Sequence, residues 1–122
     1  MVCIINEYAG SGGDAFPYYF RAYGLGPLIG KRTWGGLIAI GGEPPLVDGG
    51  YVTCPSTAFV DMGGQLAVEG HGVDPDIEGD NRPDLVIDGQ DPQLEAAIEE
   101  VLRAIEENPP ILPELPPYSV KG

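Results

Sequence analysis

The chemistry of this chain starts at Gly10-Ser11-Gly12-Gly13, a small nucleophile set among glycines where an apolar run ends and an amphipathic one begins. A hydroxyl on such a strand-to-helix bend is held out toward solvent, and the backbone N–H groups that follow it point at the oxygen of an attacked carbonyl. The glycines permit the close approach and unusual dihedrals of the bend, and the helix N-terminus behind them favours negative charge. Ordinary turn formation accounts for the same spacing. His71 is the single histidine. Two residues from Glu69 in an extended stretch, it would share a face with that carboxylate, giving a possible Ser11, His71, Glu69 set. The plainer reading is an exposed loop residue between Gly70 and Gly72. Asp74, Asp76, Glu78 and Asp80 alternate along the chain, so an extended backbone would align them for a hard cation such as calcium. Pro75 and Gly79 favour an ordinary solvated turn, and no metal or other cofactor is expected. Lys31 and Arg32 could receive a peptide carboxylate or pair with neighbouring acids.

Positioning these groups requires a βαβ unit. Val2–Tyr8 is β-branched and apolar before turning polar, as in a buried parallel strand. Ala15–Tyr23 carries Phe16, Tyr19, Phe20 and Tyr23 at helical spacing, with Asp14 as N-cap or first-turn acid, Pro17 tolerated near the start and Gly24 as the stop. Leu28–Trp34 reads as a second strand, parallel to the first through a right-handed crossover. From Gly35 to Val68, short apolar stretches (Leu37–Ile40, Leu46-Val47, Tyr51–Cys54, Leu66–Val68) between turn signals predict hairpins. His71–Pro92 is acidic and loop-like, with a short extended piece at Leu85–Ile87. Gln93–Glu107 places Leu94, Ala97, Ile98, Val101, Leu102 and Ile105 on one helical stripe, capped by Asp91 with Pro92 at the first position and stopped at Asn108. The expected fold class is α/β: one domain over residues 1–108, then a Pro-rich extended tail over 109–122.

The chain has 122 residues with 19 Gly and 13 Pro, and 43% of its residues are hydrophobic. It can build one turn-rich core and no more. Six Lys and Arg against 19 Asp and Glu leave a net charge of -13, which argues against nucleic acid and anionic membranes as partners. The sequence shows neither a membrane-spanning run nor a signal peptide, so a cytoplasmic location is expected. Two cysteines, Cys3 and Cys54, are too few for a disulfide framework or thiolate metal site and read as buried reduced thiols.

Four blocks together carry a resemblance. Asn6-Glu7-Tyr8-Ala9-Gly10-Ser11-Gly12-Gly13-Asp14, then Gly24–Gly36 with Lys31-Arg32-Thr33-Trp34-Gly35-Gly36, then Val68-Glu69-Gly70-His71-Gly72-Val73-Asp74-Pro75-Asp76, and lastly Asp91-Pro92-Gln93-Leu94 resemble, in order, the C-terminal catalytic portion of the tricorn-type serine peptidases of family S41. The resemblance implies a ClpP/crotonase-like α/β core and a serine hydrolase acting on a peptide or small ester carbonyl. It makes Ser11 the nucleophile, with the Gly12 N–H as an oxyanion donor beside that of Gly13. Glu69 matches the acid that supports the catalytic histidine through a neighbouring hydroxyl. The family's general-base histidine lies far upstream of the nucleophile, beyond the short segment before Ser11 here. Gly36 stands where related processing peptidases carry a lysine base, so that dyad is excluded. Attenuated activity is the expectation, with missing groups supplied by another copy, a partner chain or His71. The alternatives are a non-catalytic oligomeric remnant and one subunit of a split peptidase. Uncovered sheet edge and apolar surface predict a homodimer or larger homo-oligomer.

Overall fold

A computed structural model describes residues 1–42 and 44–115. The chain begins with β1 (Cys3–Ile5), the Gly-rich turn, α1 (Gly12–Ala22) and β2 (Leu28–Gly30). β1 and β2 pair in parallel, with Cys3 opposite Leu28 and Ile5 opposite Gly30. This is the βαβ unit expected from the order of apolar runs, although both strands are shorter than the stretches that suggested them. A third parallel strand, β5 (Ile77–Glu78), lies against β2, giving the sheet order β1-β2-β5. Its two residues fall in the acidic segment that the sequence presents as loop.

Alternation along β1 sends successive side chains to opposite faces. Ile5 joins Phe20 of α1, Leu28, Val68 and Val73 in the core, with Cys3 packed against them. Val2 and Ile4 line a groove with Leu94, Ala97, Ile98, Val101 and Leu102 of α3 (Pro92–Glu107). The sheet is thus sandwiched between α1 and α3, and Leu28 and Ile29 of its central strand are fully buried, as a strand covered on both faces must be. α3 opens as anticipated, with the Asp91 carboxylate accepting from Leu94 N at 3.0 Å and Asn81 Nδ2 at 2.9 Å.

Between these elements, β3 (Ala39–Gly42) and β4 (Thr53–Thr57) form one antiparallel hairpin. Leu46-Val47 is part of its tip rather than a strand: Leu46 N donates to Gly50 O and Gly49 N to Leu46 O. Leu66 contributes only an isolated bridge to Val60. Leu85–Ile87 is helical, not extended, inside α2 (Pro83–Ile87). Pro83 at its first position and Asp84 in its first turn favour a helix start that the apolar triplet alone does not reveal. Residues 109–115 carry no regular secondary structure, and the rest of the Pro-rich tail lies outside the described residues. Among the described residues no helix is long and apolar enough to cross a membrane.

Candidate active site

Ser11 sits between β1 and α1 with φ 53° and ψ -108°, and among the described residues it is the only non-glycine with positive φ. An L-residue held there costs about 1–3 kcal/mol, which persists only where surrounding bonds over-determine the conformation. Those bonds converge on Asp14, which is fully buried. Its Oδ2 accepts from Ser11 N at 2.8 Å and Gly36 N at 3.1 Å, and its Oδ1 accepts from Gly35 N at 2.8 Å. Ser11 N also donates to Gly36 O at 3.1 Å. Asp14 is therefore not the helix N-cap: Ser11 holds that position, and Asp14 reaches back from the first turn to clamp it. The helix starts earlier than the aromatic pattern shows because the glycines before it join the first turn.

The segment held by Asp14 extends to Glu69. Gly35, at φ 85°, could not carry a side chain, because a Cβ there would come 2.5 Å from Gly72 N. Glu69 Oε2 accepts from Leu37 N and Ile38 N, both at 2.7 Å. Ser11 and Glu69 thus grip neighbouring residues of the same short stretch, 36–38.

Ser11 and Gly12 are exposed, and Ser11 and Asp14 form a capping box at the start of α1. Gly12 N–H is the first of α1, where no preceding turn supplies an acceptor, and among the described residues no backbone carbonyl takes it. Gly13 is different. Its N–H donates to Gly10 O at 2.8 Å, so the bend itself consumes the second oxyanion donor expected from the sequence.

His71 does not join Ser11. Gly70 adopts φ 80°, which breaks the extended path that would have kept Glu69 and His71 on one face. The imidazole instead makes a 2.7 Å contact from Nε2 to Asp74 Oδ2 and shares a recess with Tyr18, Arg21 and Ala22. Those residues lie in the second half of α1, about 10 to 17 Å along the helix from its N-cap at a rise of about 1.5 Å per residue. The four alternating acids likewise disperse. Asp74 meets His71; Asp76 accepts from Leu28 N and Arg21; Asp80 meets Lys31. Among the described residues no group of three His, Cys, Asp or Glu side chains is arranged to hold a metal. Lys31 also pairs with Glu7 at 3.1 Å, and the Arg32 guanidinium donates to His71 O. Neither is set aside for a substrate carboxylate. Cys3 and Cys54 are free and partly buried, and burial pushes the Cys3 thiol pKa up, as expected of an unreactive thiol.

The bend, its clamp and the parallel sheet have counterparts in known proteins. Residues 1–79 match peptidase family S41. The chain belongs to that family. It is 50% identical over 109 residues to a protein of Sulfurisphaera tokodaii named as a tricorn-like protease C-terminal subunit, covering 88% of this chain and 12% of that one. It is 48% identical over 106 residues to the tricorn protease of Thermoplasma volcanium, covering 87% and 10%. The crystal structure of the tricorn protease superimposes with a TM-score of 0.80 at 43% identity, over 86% of this chain and 10% of the other. The S41 chain described here therefore spans about a tenth of the length of these relatives.

Proposed function

We propose that this S41 chain carries the nucleophile of a serine peptidase, with Ser11 Oγ attacking a peptide or ester carbonyl and the Gly12 N–H stabilising the oxyanion. The observation that carries this reading is the conformation of Ser11: a strained, exposed serine at a strand-to-helix bend, with an unoccupied N–H immediately after it. Stabilisation of charge by such a fixed donor is commonly the largest single contribution to acyl transfer. The parallel βαβ unit with its third strand supports a ClpP/crotonase-like core as the finer description of the fold.

The proton of Ser11 Oγ passes to a base other than His71, whose imidazole is committed to Asp74. Glu69 acts by fixing residues 37 and 38 beside the nucleophile, so in this reading it is a positioning residue, with Ser11 the catalytic one. Alone, the chain turns over activated esters slowly. A site stripped of its triad can still retain roughly 10³-fold acceleration over water. A fluorophosphonate probe should label the wild-type chain and leave Ser11→Ala unlabelled, while circular dichroism of the two stays the same. Equal labelling of both, or of neither, would overturn the assignment.

Two observations favour the form of a subunit in a split or assembled peptidase. One is the name of the Sulfurisphaera tokodaii relative as a C-terminal subunit. The other is the apolar groove between β1 and α3, where Ile4, Leu94, Ile98 and Leu102 stay 43–60% exposed. Covering it by association, as a homodimer or larger assembly, removes that surface from water.

A further inference from the structure

Trp34 is the single tryptophan of the chain, and 68% of it is exposed. Its backbone N–H donates to Ala9 O at 2.9 Å, which ties it to the residue two positions before Ser11. Its six-membered ring lies against two glycines. A Cβ on Gly10 would stand 2.6 Å from Cε3, and a Cβ on Gly36 would collide with Cζ3 and Cε3 of the same ring. Gly10 directly precedes Ser11, and Gly36 O accepts the Ser11 N–H. The indole is thus seated on both walls of the nucleophile bend with its remaining surface open to solvent. Tyr8, 87% exposed, and Phe16, 61% exposed, bracket the same bend in sequence. A large ring left in water contributes little to folding, and one seated rigidly beside the nucleophile offers a flat apolar face to a bound side chain.

We propose that the Trp34 indole forms a wall of a substrate subsite beside Ser11 that takes an uncharged aromatic or apolar side chain flanking the scissile bond. The proposal rests on Ser11 as nucleophile and names the substrate class that reading leaves open. Charge favours an uncharged occupant. The carboxylates that grip this segment, Asp14 and Glu69, accept from backbone N–H groups, so neither is left to pair with a cationic side chain. Aromatic contact beside a ring fixed on glycine is directional as well as apolar.

Two measurements on the purified chain test it. In Ser11→Ala, which can bind but not react, titration with an N-acetyl phenylalanine amide should shift the Trp34 fluorescence, and the corresponding arginine amide should not. In the wild type, a benzyl fluorophosphonate should label Ser11 faster than a methyl one, and Trp34→Ala should reduce that preference about tenfold, with Trp34→Phe recovering most of it. Unchanged preference in Trp34→Ala, no emission change with either amide, or a response to the arginine amide alone would overturn the subsite. If Trp34→Ala loses the folded circular dichroism spectrum, the Ser11→Ala titration and Trp34→Phe decide. Failure of both probes to label the wild type while the phenylalanine amide still shifts emission would count against Ser11 as nucleophile and leave the subsite standing.

Discussion

Ser11 trades stability for reactivity, and two substitutions separate those quantities. Glycine at position 11 removes the strain of φ 53°, worth about 1–3 kcal/mol, and pays back part of it as backbone entropy of about 0.5–1 kcal/mol. Ser11→Gly should therefore raise the urea-unfolding free energy by about 1 kcal/mol while abolishing fluorophosphonate labelling. Equal or lower stability would show that the conformation is not strained in solution. Asp14→Asn tests the clamp. An amide nitrogen facing one of the N–H groups of Ser11, Gly35 or Gly36 leaves a buried donor unpaired. The expected loss is about 2 kcal/mol, with slower labelling at Ser11 because the bend relaxes. The type of residue 14 was readable from the sequence as an acid near a helix start. Its partners were not, because Gly35 and Gly36 approach only after the crossover brings β2 alongside β1.

At the scale of elements, α3 shows a start signal that local sequence fully specifies. The Asp91 carboxylate accepts from Leu94 N–H and then from Asn81, and these bonds hold its pKa below the usual carboxylate value. A depressed folded pKa means stability that is present above the unfolded value of about 4 and lost as pH falls through the folded one. Asp91→Ala should thus destabilise the chain at neutral pH and converge on the wild type in urea melts as pH falls below the usual carboxylate range. A constant difference across that range would refute the cap. Helices α1 and α3 and the two parallel strands were legible because their apolar periodicity is local. β5 was not, since two residues in an acidic segment have no pattern and exist as a strand only through pairing with β2. Leu85–Ile87 misled for the opposite reason: three apolar residues suit either period, and Pro83 decides. In the site, Ser11 and Gly12 were readable as a bend before a helix. The setting of His71 between Gly70 and Gly72 likewise read as an exposed loop, as found; its pairing with Asp74 was not readable, because it follows from the left-handed turn at Gly70.

Across the whole molecule, a net charge of -13 opposes the association that the open groove between β1 and α3 favours. Copies repel through water at low salt, and screening shortens that repulsion to about 8 Å at physiological ionic strength. Sedimentation should therefore show self-association that strengthens from low to moderate salt, and Leu102→Glu, placed in the groove, should return the chain to monomer. Association unchanged by that variant would locate the contact elsewhere. Asp14 has a consequence at this scale too. One carboxylate holds amides from residues 11, 35 and 36, so those three protons can reach deuterium only when the bend and the segment after β2 part from each other. They should exchange at a common rate, slower than the turn at residues 46–50, and a fault at either end of the clamp would be felt at the other as faster isotope uptake.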